Sequence, residues 1–247
     1  MTELWTPSKK DKKAYKDMEV VIATPCGDYE VQFKFMRSVT NLIAYSWMHG
    51  LKVYEFGGVE RMCVHWARNT IVEETKDRIN PHTGNKFTHI LWIDDDQVFN
   101  KDMLLYLARN QHLDMVSAVY YCRVGAHLPV AYVKDDNPNI YSHYPLIVVP
   151  ETVFEIDAVG FGALLMRREI LDKLEHPYFD FQRCGEDLYF CVHAKKAGIK
   201  IWLDGSYRIA HIGEPKIVTH EHYLEYCENN EEFLSDRVEV PLRGNVR

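Results

Sequence analysis

Three consecutive aspartates, Asp94, Asp95 and Asp96, close the apolar run Ile90-Leu91-Trp92-Ile93. Carboxylates this close repel and raise one another's pKa unless something cationic meets them. If the run is a strand of a parallel sheet, its carboxyl end is where such sheets bind ligands. Hard oxygen donors there suit Mg²⁺ or Mn²⁺, and such a cation suits a diphosphate. Strand alternation points Asp94 and Asp96 to one side if the strand continues that far. The competing account is a solvated acidic turn after a core strand.

Four further groups have types and spacings that could do chemistry. Gly185-Glu186-Asp187-Leu188 puts two carboxylates in the first turn of a helix, where they either cap its positive end or stay ionised as a base within reach of a hydroxyl. His211, in Ile209-Ala210-His211-Ile212-Gly213, is a structural imidazole or a ligand for Mn²⁺, with His220 and His222 weaker candidates. Arg68, in Ala67-Arg68-Asn69, suits a phosphate or a strand-end carboxylate. Gly160 and Gly162 flank Phe161, where a missing Cβ lets a ligand or another backbone come close.

Composition narrows the function classes. Of 247 residues, 47% are hydrophobic and 26% charged, which is globular composition. Lys and Arg total 29 against 36 Asp and Glu, a net charge of −7, which disfavours a generally basic nucleic-acid binder. No apolar run nears the roughly 20 residues that span a bilayer. The start, MTELWTPSKKDKKAYKD, has no signal-peptide core. The six cysteines form no C-x-x-C pair, which suits a reduced, cytoplasmic protein. Neither G-x-G-x-x-G before a helix nor G-K-[ST] occurs, so dinucleotide and P-loop chemistry do not fit.

The elements that must position these groups follow from periodicity. Residues 1–17 read as a flexible arm. Met18–Thr24 reads as a buried strand and 30–48 as a helix ended by Gly50. Leu51–Phe56 is a second strand, closed by Gly57-Gly58; 60–78 is a helix, and Thr88–Ile93 the strand before the aspartates. A helix at 101–110 and a strand at Met115–Val119 complete a pattern of parallel sheet covered on both faces. Beyond, short strands at 129–133, 139–149 and 152–156 precede Gly160–Met166, a helix at 167–174, a helix at 185–197, a strand at Ile199–Leu203 and a helix at 219–229. The expected organisation is one domain over 18–230, with a nucleotide-binding half at 18–119, an acceptor-side half at 120–213 and a C-terminal helix within 214–230. Residues 231–247 read as a tail.

Taken in order, VVIATP, ARN, ILWIDDD, DAVGFGALLMRREIL, GEDLYF…AKKAGIKIWLD and AHIG resemble the GT-A glycosyltransferases of the family-2-like group, over about residues 18–213. The short chain looks like the small stand-alone transferases of bacteria and bacteriophages. The resemblance implies an α/β GT-A fold, with a mostly parallel central sheet flanked by helices and a mixed acceptor-side half. It implies a metal-dependent glycosyltransferase using a nucleotide-sugar, foremost a UDP-sugar, with Mn²⁺ or Mg²⁺. Thr24, Pro25 and Asp28 would border base and ribose, with Arg68, Asp94 and Asp95 near the nucleotide. Asp96 would bind the metal, with Asp94 as the other candidate in the triplet and His211 at the family's late metal position. Gly160 and Gly162 would line the sugar pocket. Asp187, or in second place Glu186, would be the general base of an inverting reaction. The acceptor would be a glycan, protein, lipid or, in a phage, a hydroxymethylated DNA base in the host cytoplasm.

Two other classes compete. A nucleotidyltransferase needs a basic, Gly-rich loop after the first strand, and TPCGDYE holds no Lys or Arg. A non-catalytic nucleotide-sugar binder on the same fold would bind donor without turnover. The tyrosines of the middle (Tyr120, Tyr121, Tyr132, Tyr141 and Tyr144) serve either packing or stacking on sugars or bases.

Overall fold

In the computed structural model the described residues are 4–27, 30–56, 59, 62–134, 143–182, 184–213, 217–229 and 243–245. Their helices are α1 (Lys9–Ala14), α2 (Phe33–Met48), α3 (Val64–Lys76), α4 (Met103–Leu107), α5 (Glu186–Lys196) and α6 (His220–Asn229). The strands are β1 (Glu19–Ala23), β2 (Lys52–Phe56), β3 (His89–Ile93), β4 (Gln97–Val98), β5 (Met115–Val119), β6 (Ala131–Lys134), β7 (His143–Pro145), β8 (Val153–Ile156), β9 (Ala158–Val159), β10 (Ala163–Arg167), β11 (Ile201–Arg208), β12 (Ala210–Ile212), β13 (Ile217–Val218) and β14 (Arg243–Asn245).

The central sheet has eight strands in the order β14-β8-β11-β5-β10-β3-β1-β2. β1 and β3 are buried along their whole length because both sheet faces are covered. Alternation deals their residues to two cores. Val21, Ala23, Ile90 and Trp92 join Ile71 and Val72 of α3 and Phe190 and Ala194 of α5. Val20, Ile22, Leu91 and Ile93 join Val39 and Leu42 of α2 and Leu104 of α4. Each such side chain gains about 1.5–3 kcal/mol on full burial, which is why these strands read as unbroken apolar runs. Trp92 faces the α3–α5 side, and Asp94 two residues on meets Arg68 of α3 there.

The central sheet is mixed: β1, β2, β3, β5 and β11 run the same way, and the reversed strands β8 and β10 belong to the half after residue 119. β1–β2, β1–β3 and β11–β5 are parallel, but β10 runs antiparallel between β3 and β5, and β8 and β14 are antiparallel at the far edge. A strand buried on both faces has the same continuous apolar pattern in either direction, so periodicity could not tell them apart. The strand expected from Gly160 begins at Ala163, and the helix expected at 167–174 is a 3₁₀ segment, Arg168–Lys173.

Both ends differ from expectation. Residues 4–17 pack down rather than standing away as an arm. Ser8 caps α1, with the Asp11 N–H donating to Ser8 Oγ at 3.3 Å, and Tyr15 is buried. The Trp5 N–H donates to Asp102 Oδ2 at 2.8 Å. In the segment expected as a tail, Arg243–Asn245 pairs with β8 at the sheet edge. No described helix is long and apolar enough to cross a membrane.

Candidate functional site

Arg68 stands at the centre of a cleft at the carboxyl ends of β1 and β3. Only 2% of its side chain is exposed. Nη2 lies 3.1 Å from Asp94 Oδ1 and 3.4 Å from Asp187 Oδ1, and Nε lies 3.4 Å from Glu186 Oε1. The guanidinium carbon lies 5.2, 5.7 and 5.8 Å from the ring centroids of Phe161, Phe179 and Trp92. Aromatic faces and three carboxylates thus both favour the cation. Burial alone would lower the Arg68 pKa, but Asp187, Asp94 and Glu186 hold it well above its ordinary value.

Asp187 opens α5. Its carboxyl is pushed up to about 7, first by burial, against Arg68 and with Glu186 and Asp94 adding to the rise. The Phe161 N–H donates to its Oδ2 at 3.3 Å, and 22% of the side chain opens to the cleft. A carboxylate titrating near neutrality beside a cleft has the properties of a general base.

Asp96 also lines the cleft, and His211 meets it there. His211 Nδ1 lies 2.8 Å from the Tyr121 carbonyl oxygen, which can only accept, so that nitrogen carries the proton. Nε2 therefore faces Asp96 Oδ2 at 3.0 Å, either protonated or with its lone pair free for a cation. Burial lowers the His211 pKa, but Asp96's hydrogen bond and charge outweigh it and raise it. Arg123 Nη1 also meets Asp96 Oδ2, at 2.6 Å, while the buried Oδ1 has no hydrogen-bond partner. Asp95 turns the other way, its Oδ2 accepting from the Gly27 N–H at 3.1 Å, and burial raises its pKa.

Arg68, Asp94, Asp95, Asp96, Arg123, Glu186 and Asp187 line one cavity of about 380 Å³, with Pro25, Cys26 and Gly27 as the β1-side wall; His211 is outside that lining and meets it through Asp96. Five carboxylates (Asp94, Asp95, Asp96, Glu186 and Asp187) face two arginines, Arg68 and Arg123, in its lining. An anionic ligand enters such a cleft only with a cation alongside. Among the described residues, no group of three or more His, Cys, Asp or Glu side chains closes around a metal ion by itself. The unpartnered Asp96 Oδ1 and the oriented His211 Nε2 nevertheless fit an open site completed by ligand oxygens and water, the arrangement Mg²⁺ prefers.

Several expected residues sit elsewhere. Thr24 is buried and does not line the cavity; Asp28 lies outside the described residues, as do Gly57, Gly58 and Tyr141. Gly160 and Gly162, expected to line the sugar pocket, instead make room for Tyr120. A Cβ on Gly160 would fall 1.9 Å from Tyr120 Oη, and one on Gly162 would fall 2.8 Å from Tyr120 Cζ and from Gln97 Nε2. The Gly162 N–H donates to Tyr120 Oη at 3.1 Å, and the ring meets His211 edge-on at 5.6 Å. Burial, then Asp187 and Asp94, hold the Tyr120 hydroxyl far above its ordinary pKa. Tyr120 and Tyr121 are core residues, while Tyr144 is exposed. Arg123 and the Phe161–Phe179–Trp92 cradle carry no local signal, because no local pattern marks a side chain recruited from another element, and Tyr120, expected to pack or to stack on a ligand, packs.

No family model matches the sequence, and no curated protein matches it. Among solved structures, A197 from STIV superposes with a TM-score of 0.52 at 17% identity, over 82% of this chain and 94% of that one. The shared property is the fold. Both are mixed α/β structures, here a central mixed sheet flanked by helices. HddC from Yersinia pseudotuberculosis aligns over 86% of this chain and 99% of its own at 12% identity, with a TM-score of 0.41, too loose a likeness to carry an argument.

Proposed function

We propose that the chain is a metal-dependent glycosyltransferase of GT-A type, moving a sugar from a nucleotide-sugar, foremost a UDP-sugar, to an acceptor hydroxyl. The observation that carries the reading is that one cleft is lined by both Asp96, which His211 holds, and the Arg68-held Asp187. Asp96 offers an unpartnered carboxylate oxygen, with the oriented imidazole nitrogen of His211 beside it, and Asp187 offers a carboxyl titrating near neutrality. The fold likeness to A197 agrees with this reading at the level of architecture alone.

Asp96 and His211 would hold Mn²⁺ or Mg²⁺, whose charge, when bound, offsets that of the departing nucleoside diphosphate. Arg68 holds Asp94 and Asp187 in place and opposes the rise that burial gives their pKa values; Asp94 faces the nucleotide. Pro25 and Gly27, with Asp95 pinning Gly27, border the base side. Asp187 accepts the proton of the acceptor hydroxyl on its carboxylate. That oxygen then bonds to the anomeric carbon as the bond from that carbon to the diphosphate oxygen breaks.

A thermal-shift panel of UDP-, GDP-, CDP- and ADP-sugars, with and without Mn²⁺, tests this. A ligand at 100 times its Kd stabilises by about 2.7 kcal/mol. The expected result is a shift for one nucleotide-sugar that needs the cation and is lost in Asp96→Ala and His211→Ala. Cation-independent binding that persists in both variants overturns the metal assignment. A response to nucleoside triphosphates alone replaces the transferase by a nucleotidyltransferase.

A further inference from the structure

Helix α3 faces two cavities. Val64, Ala67 and Arg68 border the catalytic cleft, while His65, Trp66 and Asn69 border a second cavity of about 440 Å³ against His176, Pro177, Phe179 and Asp180. Met62 lines both, so the two adjoin. The segment that forms the far wall leads directly to Gly185 and Asp187.

The second cavity has a firm frame and an open aromatic mouth. Asn69 fixes the frame: its Oδ1 accepts from the N–H groups of Tyr178 and Phe179 at 2.8 and 3.2 Å, and its Nδ2 donates to the Phe179 carbonyl at 2.7 Å. At the mouth, Trp66 is 60% and Met62 44% exposed, and Phe181, next in the chain to the lining residue Asp180, is 52% exposed. His65 bridges the two rings, 5.2 Å from Trp66 and edge-on to Phe181 at 4.9 Å. Large aromatics left open in a cluster mark a binding surface rather than stray exposure.

The polar groups at the rim decide what binds. Glu73, Asp180 and His176 line the cavity, and among the described residues no Lys or Arg does. Glu73 Oε1 lies 3.3 Å from His176 Nε2. An acidic rim repels phosphates and nucleic acid. Elsewhere, Arg167, Arg168, Lys195, Lys200 and Arg208 each meet a carboxylate. A lipid chain carries no donor for these rim carboxylates. A neutral sugar satisfies both halves, with its C–H face on an indole or phenyl ring and its hydroxyls donating to carboxylates.

We propose that this second cavity is the acceptor subsite and that it takes a neutral saccharide, stacked on Trp66 and Phe181 with hydroxyls on Glu73 and Asp180. The proposal rests on the transferase reading for its consequence, since the sugar's end would enter the adjoining cleft at Asp187.

Incorporating 5-fluorotryptophan gives one ¹⁹F resonance per tryptophan, with that of Trp66 assigned by its loss in Trp66→Phe. The probes are methyl glycosides of glucose, galactose, mannose and N-acetylglucosamine, their disaccharides, and a duplex oligonucleotide containing hydroxymethylcytosine. The expected result is a saturable shift of the Trp66 resonance with at least one saccharide. Trp66→Ala and Phe181→Ala should weaken saccharide binding, followed by calorimetry, by about tenfold or more, the loss of a stacked anchor. Both residues are exposed, so the variants should melt as the parent does, and their nucleotide-sugar binding should be unchanged. No response to any saccharide, or a response to the oligonucleotide alone, overturns the proposal. A saccharide shift in a protein that binds no nucleotide-sugar supports the subsite while removing the transferase reading.

Discussion

Arg68 on α3 and Asp187 on α5 meet 3.4 Å apart beneath the strand-end aspartates. The contact fixes the distance between two helices that cover the same sheet face. It also leaves Asp187 between opposed influences, with burial raising its pKa and Arg68 lowering it.

Removing Arg68 strands three carboxylates. Breaking a buried charge pair by deleting one partner costs about 3–5 kcal/mol, so Arg68→Met should fall in that range by urea unfolding. Arg68→Lys should recover only part of it, since one ammonium cannot reach Asp94, Glu186 and Asp187 together. A loss under 1 kcal/mol (within ordinary surface effects) would show the cluster to be energetically idle.

The pH dependence has two signs to check. If Asp187 is the base, kcat/KM rises with pH through its raised pKa and is lost as pH falls through it. The stability effect is opposite. Because the folded pKa lies above the unfolded value, this group's stabilising contribution is present below the unfolded pKa and is lost as pH rises through the folded one. Asp187→Asn should therefore gain more stability over the parent at pH 8 than at pH 5, measured by urea melts at both. An equal difference at the two pH values would mean that Asp187 is not perturbed.

Glu19 carries the reverse dependence. It is buried at the start of β1, with Lys52 Nζ 3.2 Å and Asn85 Nδ2 3.0 Å from Oε1 and Asn80 Nδ2 2.6 Å from Oε2. Burial raises its pKa, but these hydrogen bonds outweigh it and leave it lowered. Its contribution is present above the unfolded pKa and is lost as pH falls through the folded one. Glu19→Gln should cost about 1–3 kcal/mol at pH 7 and less in acid; a pH-independent cost would refute the assignment.

Gly160 tests the Tyr120 packing. Gly160→Ala drives a Cβ into Tyr120 Oη, 1.9 Å away, and Val130 Cγ1, 2.7 Å away. Overpacking of this kind costs about 1–3 kcal/mol. Tyr120→Phe removes the nearest atom, so the double variant should be more stable than the sum of the single effects predicts. Strict additivity in thermal melts would mean that the tyrosine does not fill the space.

Sequence alone determined the local elements and the chemical types. The runs at 19–23, 89–93 and 115–119 are strands because each is apolar but for one residue (Glu19, His89 and Ser117), and 33–48 is a helix because Phe35, Val39 and Leu42 recur at helical spacing. The strand-end aspartates, the α5 carboxylates and His211 were legible by type, since charge at an element's end is a local property. Only tertiary structure decided the direction of β10, the pairing of β14 with β8 and the docking of residues 4–17, because these depend on partners distant in sequence. It also separated the three aspartates: Asp94 goes to Arg68, Asp95 to Gly27 and Asp96 to His211 and Arg123. No periodicity encodes that division, because each carboxylate takes whichever donor another element brings within hydrogen-bonding distance.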